Sequence, residues 1–147
     1  MSLIPAKCIE YNEERKACVV SEKGKSYRLD NESGFKVRAV KIDKCLQQKE
    51  GEKRCDYLMN FDQKKLKRAI FIELKGGGLS DALKQLYATI IYLKEEFKGH
   101  RIDARIVGNR DVPDFINLPN YRKLAKEILP TGGTIERGTN NIYKENC

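Results

Sequence analysis

The chain has 147 residues, a length typical of one compact domain, and its 40% hydrophobic residues are enough for a single core. A charged fraction of 34% and a mean hydropathy of −0.61 fit this interpretation, and no apolar run approaches the roughly 20 residues that a membrane-spanning helix requires. The first residues lack the basic start and apolar stretch of a signal peptide, so we expect a cytoplasmic protein. The net charge of +8 favours a polyanionic partner such as nucleic acid or an acidic protein.

The first part of the chain, residues 1–34, carries short runs of β-forming residues separated by polar turns. This pattern predicts an extension of N-terminal β-hairpins. Further strands are predicted over residues 36–43 and 54–60. A continuous apolar run follows within residues 68–75, as is typical of a central strand covered on both sides.

A glycine-rich turn at residues 76–78 ends this strand, and apolar residues then recur at steps of three or four. That period predicts an amphipathic helix over residues 80–97, with Ser80 as a capping residue. A strand near residues 102–107, a helix that begins at Pro119 and an edge strand near residues 131–136 complete the pattern. The order predicts an α/β domain in which helices flank a central mixed β-sheet.

The cysteines form no recognisable disulfide or zinc pattern. Their number, five, is odd, no Cys-x-x-Cys is present, and His100 is the only histidine. We therefore expect reduced and mostly buried thiols.

Two carboxylates and an ammonium group are predicted to meet at the edge of the sheet. Asp56 lies in one predicted strand, and Glu73 and Lys75 lie at the end of the next, where alternate residues project to the same face. Neighbouring strands are about 4.8 Å apart, so Asp56 can reach the same position if the register permits. Such a group suits Mg²⁺ or Mn²⁺ and a bound water, which together can cleave a phosphodiester. Lys75 would orient or help to deprotonate the water.

These residues resemble the PD-(D/E)XK nuclease superfamily, in the segments Cys55-Asp56-Tyr57-Leu58-Met59 and Phe71-Ile72-Glu73-Leu74-Lys75-Gly76. The resemblance covers residues 36–108 and implies a restriction-endonuclease-like core. It also implies that Asp56, Glu73 and the main-chain carbonyl of Leu74 bind Mg²⁺. Family members often place a polar residue of the following helix at the site, and of Lys84 and Gln85 the latter fits better.

The chain departs from the family pattern at two places. Cys55 replaces the proline before the aspartate, which changes nothing in the chemistry. No helix with a further acidic residue precedes residue 36, and Glu32 and Asp43 are the nearest substitutes.

Basic residues outside this motif are candidates for contacts with nucleic acid, although a solvated surface explains several of them equally well. They are Lys64, Lys65, Lys67, Arg68, Lys84, Arg105 and Arg110.

The sequence thus predicts a single-domain, metal-dependent DNA nuclease that carries no separate sequence-reading domain. Loops, a homodimer or a protein partner would then supply specificity. The alternative is a non-catalytic protein of the same fold, either an immunity-type protein or a subunit of a defence or repair complex.

Overall fold

The structure, a computed structural model, describes residues 2–63, 65–74, 78–108, 115–138 and 140–147. Within these residues, six strands form a mixed central sheet and three strands form a smaller second sheet. The central sheet contains β1 (Ile9–Glu13), β4 (Val37–Lys41), β5 (Tyr57–Gln63), β6 (Leu66–Leu74), β7 (Arg101–Val107) and β8 (Ile135–Gly138). The second sheet contains β2 (Ala17–Glu22), β3 (Lys25–Asp30) and β9 (Ile142–Asn146), and the two α-helices are α1 (Leu79–Tyr92) and α2 (Pro119–Ile128). The α/β class and the mixed sheet agree with the sequence-based expectation.

Strand β6 lies inside the central sheet and is buried on both faces. It pairs antiparallel with β5 and parallel with β7. Ala69 and Phe71 pack into the core beneath the helices, whereas Ile70 and Ile72 pack into a second core beneath the smaller sheet. A strand covered on both sides needs an apolar residue at nearly every position, and this explains the continuous apolar run in the sequence.

Helix α1 follows β6 and packs its apolar side on the central sheet, where Leu83, Leu86 and Ile90 are buried. Gly78 precedes the helix in a left-handed conformation, and no side chain caps the helix, so the predicted capping role of Ser80 is wrong. The helix ends at Tyr92, five residues before the predicted end. No helix in the described part of the chain has both the length and the apolar character that a bilayer crossing demands.

The N-terminal strands are arranged differently from the prediction of successive hairpins. Strands β2 and β3 do form an antiparallel hairpin, joined by a tight turn in which Lys23 and Gly24 both have positive φ. Strand β1, however, pairs with β4 and extends the central sheet. Residues 1–34 are therefore divided between the two sheets, because a polar turn signal shows where a strand ends but not which strand becomes its partner.

The thiol prediction is wrong for two of the cysteines, because Cys8 and Cys45 form a disulfide. The bond joins the segment before β1 to the turn after β4, with a sequence separation of 37 residues. A crosslink that closes a loop of this length stabilises a fold by roughly 3–4 kcal/mol, through the entropy of the unfolded chain. Cys18 and Cys55 are free and buried, as expected.

Candidate active site

Asp56 and Glu73 meet where β5 begins and β6 ends. Tyr57 pairs with Ile72, so that Asp56, one residue before β5, lies opposite Glu73. The Asp56 N–H donates to Glu73 Oε1 at 3.1 Å, and the Leu74 N–H donates to Asp56 Oδ2 at 2.8 Å. The structure thus brings the two residues together as the strand arrangement predicts, although Asp56 precedes the strand instead of lying within it.

The environment of this pair favours a proton or a cation over free negative charge. Glu73 is only 4% exposed. Burial raises the pKa of Asp56 above its ordinary value of 3.8, and the carboxylates of Glu22 and Asp43 raise it further. Hydrogen bonds from the Leu74 N–H and with Glu73 oppose this rise without cancelling it.

Helix α1 contributes Gln85 to the site. With its amide nitrogen turned towards the acceptors, Gln85 Nε2 lies 2.9 Å from Glu73 Oε2 and 3.3 Å from the main-chain oxygen of Asp81. Lys84, the other candidate on this helix, is solvent-exposed. Both residues border a cavity of about 320 Å³, which is also lined by Gly51, Glu52, Lys53, Asp81 and Ala88. Gln85 therefore contacts Glu73 and also borders this cavity.

A further acidic residue, Glu22, lies at the end of β2 within electrostatic range of Asp56. Its carboxylate raises the pKa of both Asp56 and Tyr57, and its Oε2 atom is buried without a hydrogen-bond partner in the described structure. Sequence reasoning missed this residue, because its only signal was an acid before a hairpin turn. Of the two predicted substitutes, Asp43 also acts on Asp56, whereas Glu32 is exposed beyond the opposite end of β3.

The carboxylates do not form a preassembled metal centre. Within the described ranges, no three Asp, Glu, His or Cys side chains are grouped closely enough to hold an ion by themselves. A cation at this site would therefore depend on the Asp56 and Glu73 pair, together with main-chain oxygen and water.

Two of the predicted nucleic-acid contacts are wrong, because Arg68 and Arg105 are buried in an internal ion cluster. They are 3% and 2% exposed, and both contact the carboxylates of Asp103 and Glu145. The sequence placed arginines at strand positions but could not show that acidic partners enclose them. Neither guanidinium can reach a bound polyanion.

Lys65 and Lys67, near the start of β6, lie at the far end of the strand from the carboxylates. Lys65 and Lys67 are exposed there, and Lys67 pairs with Asp62 at 3.8 Å. From Lys67 to Glu73 the strand rises by about 20 Å, at roughly 3.3 Å per residue. Lys65 and Lys67 are therefore not part of the site. Lys64, Lys75 and Arg110, which the sequence also proposed, lie outside the described residues.

Comparison of the chain with protein-family models, curated proteins and solved structures finds no match. The class of protein must therefore follow from the arrangement of the site residues.

Proposed function

We propose that the protein is a nuclease of the PD-(D/E)XK type, which hydrolyses phosphodiester bonds in DNA with Mg²⁺ or Mn²⁺. The observation that carries this proposal is the hydrogen-bonded pair of Asp56 and Glu73 at the sheet edge. Gln85, held against Glu73 by helix α1, supports it. A buried carboxylate, Glu73, beside a half-buried one, Asp56, whose pKa is raised mainly by burial is characteristic of functional sites.

The topology around the site supports a restriction-endonuclease-like core. Strands β4, β5 and β6 are consecutive and antiparallel, α1 then crosses the sheet, and β7 returns parallel to β6. This is the order of strands and helix that the family resemblance implies for residues 36–108. The acidic residue that the family takes from a preceding helix would come here from the β2–β3 hairpin, as Glu22.

The site residues fit a hard divalent cation. Mg²⁺ commonly binds through one or two carboxylates and keeps several waters, so it does not require a closed set of three protein ligands. Burial is the main cause of the raised pKa of Asp56, and the nearby carboxylates of Glu22 and Asp43 add to it, so a cation at this site would relieve their repulsion. Asp56, Glu73 and the carbonyl of Leu74 would hold the ion.

Each residue then has a distinct task. The bound metal ion supplies charge neutralisation and lowers the pKa of a water molecule near the scissile phosphate. Gln85 fixes the orientation of Glu73, as partners of metal ligands commonly do. Lys75 would orient the attacking water and offset the negative charge that develops on the phosphate. Specificity would come from a homodimer or from a protein partner.

A cleavage assay with purified protein tests this proposal. Plasmid, linear and single-stranded DNA, together with an RNA of the same sequence, are incubated with Mg²⁺ or Mn²⁺. We expect DNA cleavage that EDTA abolishes and that Lys75→Ala reduces by about 100-fold or more, because this substitution removes the proposed water-positioning group. Lys65→Ala, on the distant turn, serves as the matched control and should cleave like the wild type. Cleavage that survives EDTA and Lys75→Ala, or cleavage of the RNA alone, contradicts the proposal.

A non-catalytic binding protein of the same fold is the second candidate. The Glu73 carboxylate accepts the Asp56 N–H and lies within hydrogen-bond distance of Gln85, and the Asp56 carboxylate accepts the Leu74 N–H. These contacts favour the second candidate, since they partly satisfy both carboxylates without a metal. DNA or protein binding without cleavage of any substrate would favour this function.

A further inference from the structure

We infer that the turn between β2 and β3 binds the DNA backbone beside the carboxylates, through Lys23 and Lys25. This inference rests on the proposed function and assigns it a substrate-binding element. The turn is part of the smaller sheet, and the sequence alone did not connect it with the site.

The position of Glu22 places this turn next to the site. Glu22 is the last residue of β2 and directly precedes Lys23. Val20, two residues earlier on the same face of β2, packs in one buried cluster with Tyr57 and Leu74, the direct neighbours of Asp56 and Glu73 in the chain. The Glu22 carboxylate also raises the pKa of Asp56 and Tyr57, which agrees with this position. Helix α1 contacts the same site from the other face of the central sheet, through Gln85 and Glu73. The hairpin and the helix therefore flank the carboxylates on opposite sides.

The turn holds its two lysines in a defined position. Lys23 has a φ of 51° and Gly24 a φ of 79°, which together give a tight two-residue connection. Lys23 is exposed and Lys25 is half-buried, and neither forms an ion pair within the described residues. Both ammonium groups are thus available to an incoming anion.

Electrostatics explains why a substrate needs these lysines. The carboxylates of Glu22, Asp43, Asp56 and Glu73 repel a phosphate backbone until a cation compensates them. Lysines beside the site supply sequence-independent attraction that releases counterions from the DNA. Lys65 and Lys67 cannot do this, because they lie at the opposite end of β6 from Glu73.

The two basic turns give a matched experiment. DNA binding is measured by fluorescence anisotropy with a labelled duplex, in the cleavage-deficient Asp56→Asn background. The salt concentration is varied over about 50–200 mM, a range over which the affinity of a protein that contacts several phosphates changes by orders of magnitude. Lys23→Gln with Lys25→Gln should weaken binding by about 10-fold and reduce the salt slope by about 2, one for each lost phosphate contact. The control, Lys65→Gln with Lys67→Gln, should bind within about twofold of the parent.

The outcomes separate this inference from the proposed function. If the variant with both Lys23→Gln and Lys25→Gln binds DNA as tightly as the parent while the wild type still cleaves DNA, the inference is wrong and the nuclease proposal stands. An equal loss of DNA affinity in this variant and in the Lys65→Gln, Lys67→Gln control also overturns the inference, since the attraction would then come from the overall positive charge and not from this turn. If neither the parent nor the wild type binds or cleaves any DNA, both proposals fail. An unchanged melting temperature (Tm) in all variants establishes that folding is intact.

Discussion

Asp103→Ala should destabilise the protein by about 3–5 kcal/mol, because Glu145 alone cannot compensate the two buried charges of Arg68 and Arg105. Asp103 is fully buried, and it contacts Arg68 Nε at 2.7 Å and Arg105 Nη2 at 3.3 Å. It also accepts the main-chain N–H of Thr134 at 2.8 Å. Burial alone would raise the pKa of Asp103, but the ion pair with Arg68 and the other contacts outweigh burial and lower it. The stabilisation is therefore present at neutral pH and is lost as the pH falls through the lowered pKa.

Urea denaturation at neutral pH measures this effect, and Asp62→Ala is the matched control. Asp62 pairs with Lys67 at 3.8 Å on the exposed β5–β6 hairpin, where both side chains are about half exposed. Such a pair contributes roughly 0–1 kcal/mol, so the control should hardly change the free energy of unfolding. If Asp103→Ala does not fold, Asp103→Asn gives the same comparison with less lost volume. Equal effects of the Asp103 and Asp62 substitutions would contradict the role of the buried cluster.

Asp56→Asn should reduce the rate of DNA cleavage by at least about 100-fold. The same substitution should make the metal-free protein more stable. The raised pKa of Asp56 means that the folded chain holds a proton there more tightly than the unfolded chain does. The folded state consequently loses stability as the pH rises from the ordinary pKa of 3.8 through the raised value. Asparagine removes this cost, and its side-chain oxygen can still accept the Leu74 N–H.

We expect a gain of about 1 kcal/mol at neutral pH, which corresponds to a Tm higher by roughly 3 °C. Differential scanning calorimetry in EDTA over a pH series that begins near the ordinary pKa of 3.8 measures it, and the gain should increase as the pH rises. A destabilised Asp56→Asn protein would show that the carboxylate is an ordinary structural group. Unchanged cleavage would remove Asp56 from the site.

The parts of the fold that apolar patterning determines were predictable from sequence. The buried strand β6 follows from a continuous apolar run, which indicates burial on both faces, and the amphipathic helix α1 follows from apolar residues spaced three or four apart, which indicate burial on one face. Strand β9 was missed, because its inner face carries Tyr143 and the charged Glu145, whose partners Arg68 and Arg105 lie far away in the chain. No local pattern shows that a charged residue has buried partners far away in the chain.

The site was predictable to the extent that strand register determines it. Two adjacent strands with acids at matching ends bring Asp56 and Glu73 together. Glu22 belongs to a different sheet, and the disulfide between Cys8 and Cys45 joins segments that are distant in sequence. Both depend on how the hairpin and the N-terminal segment pack on the central sheet, which residue spacing does not encode.

Calorimetric titration with Mn²⁺ tests most directly whether Asp56 and Glu73 form a cation site. We expect the wild type to bind Mn²⁺ with release of a proton, so that affinity increases as the pH rises through the raised pKa of Asp56. Binding should be lost in Glu73→Gln, which preserves the size of this buried side chain but removes its charge. Equal binding of Mn²⁺ by Glu73→Gln and the wild type, or no binding by either, would contradict the account.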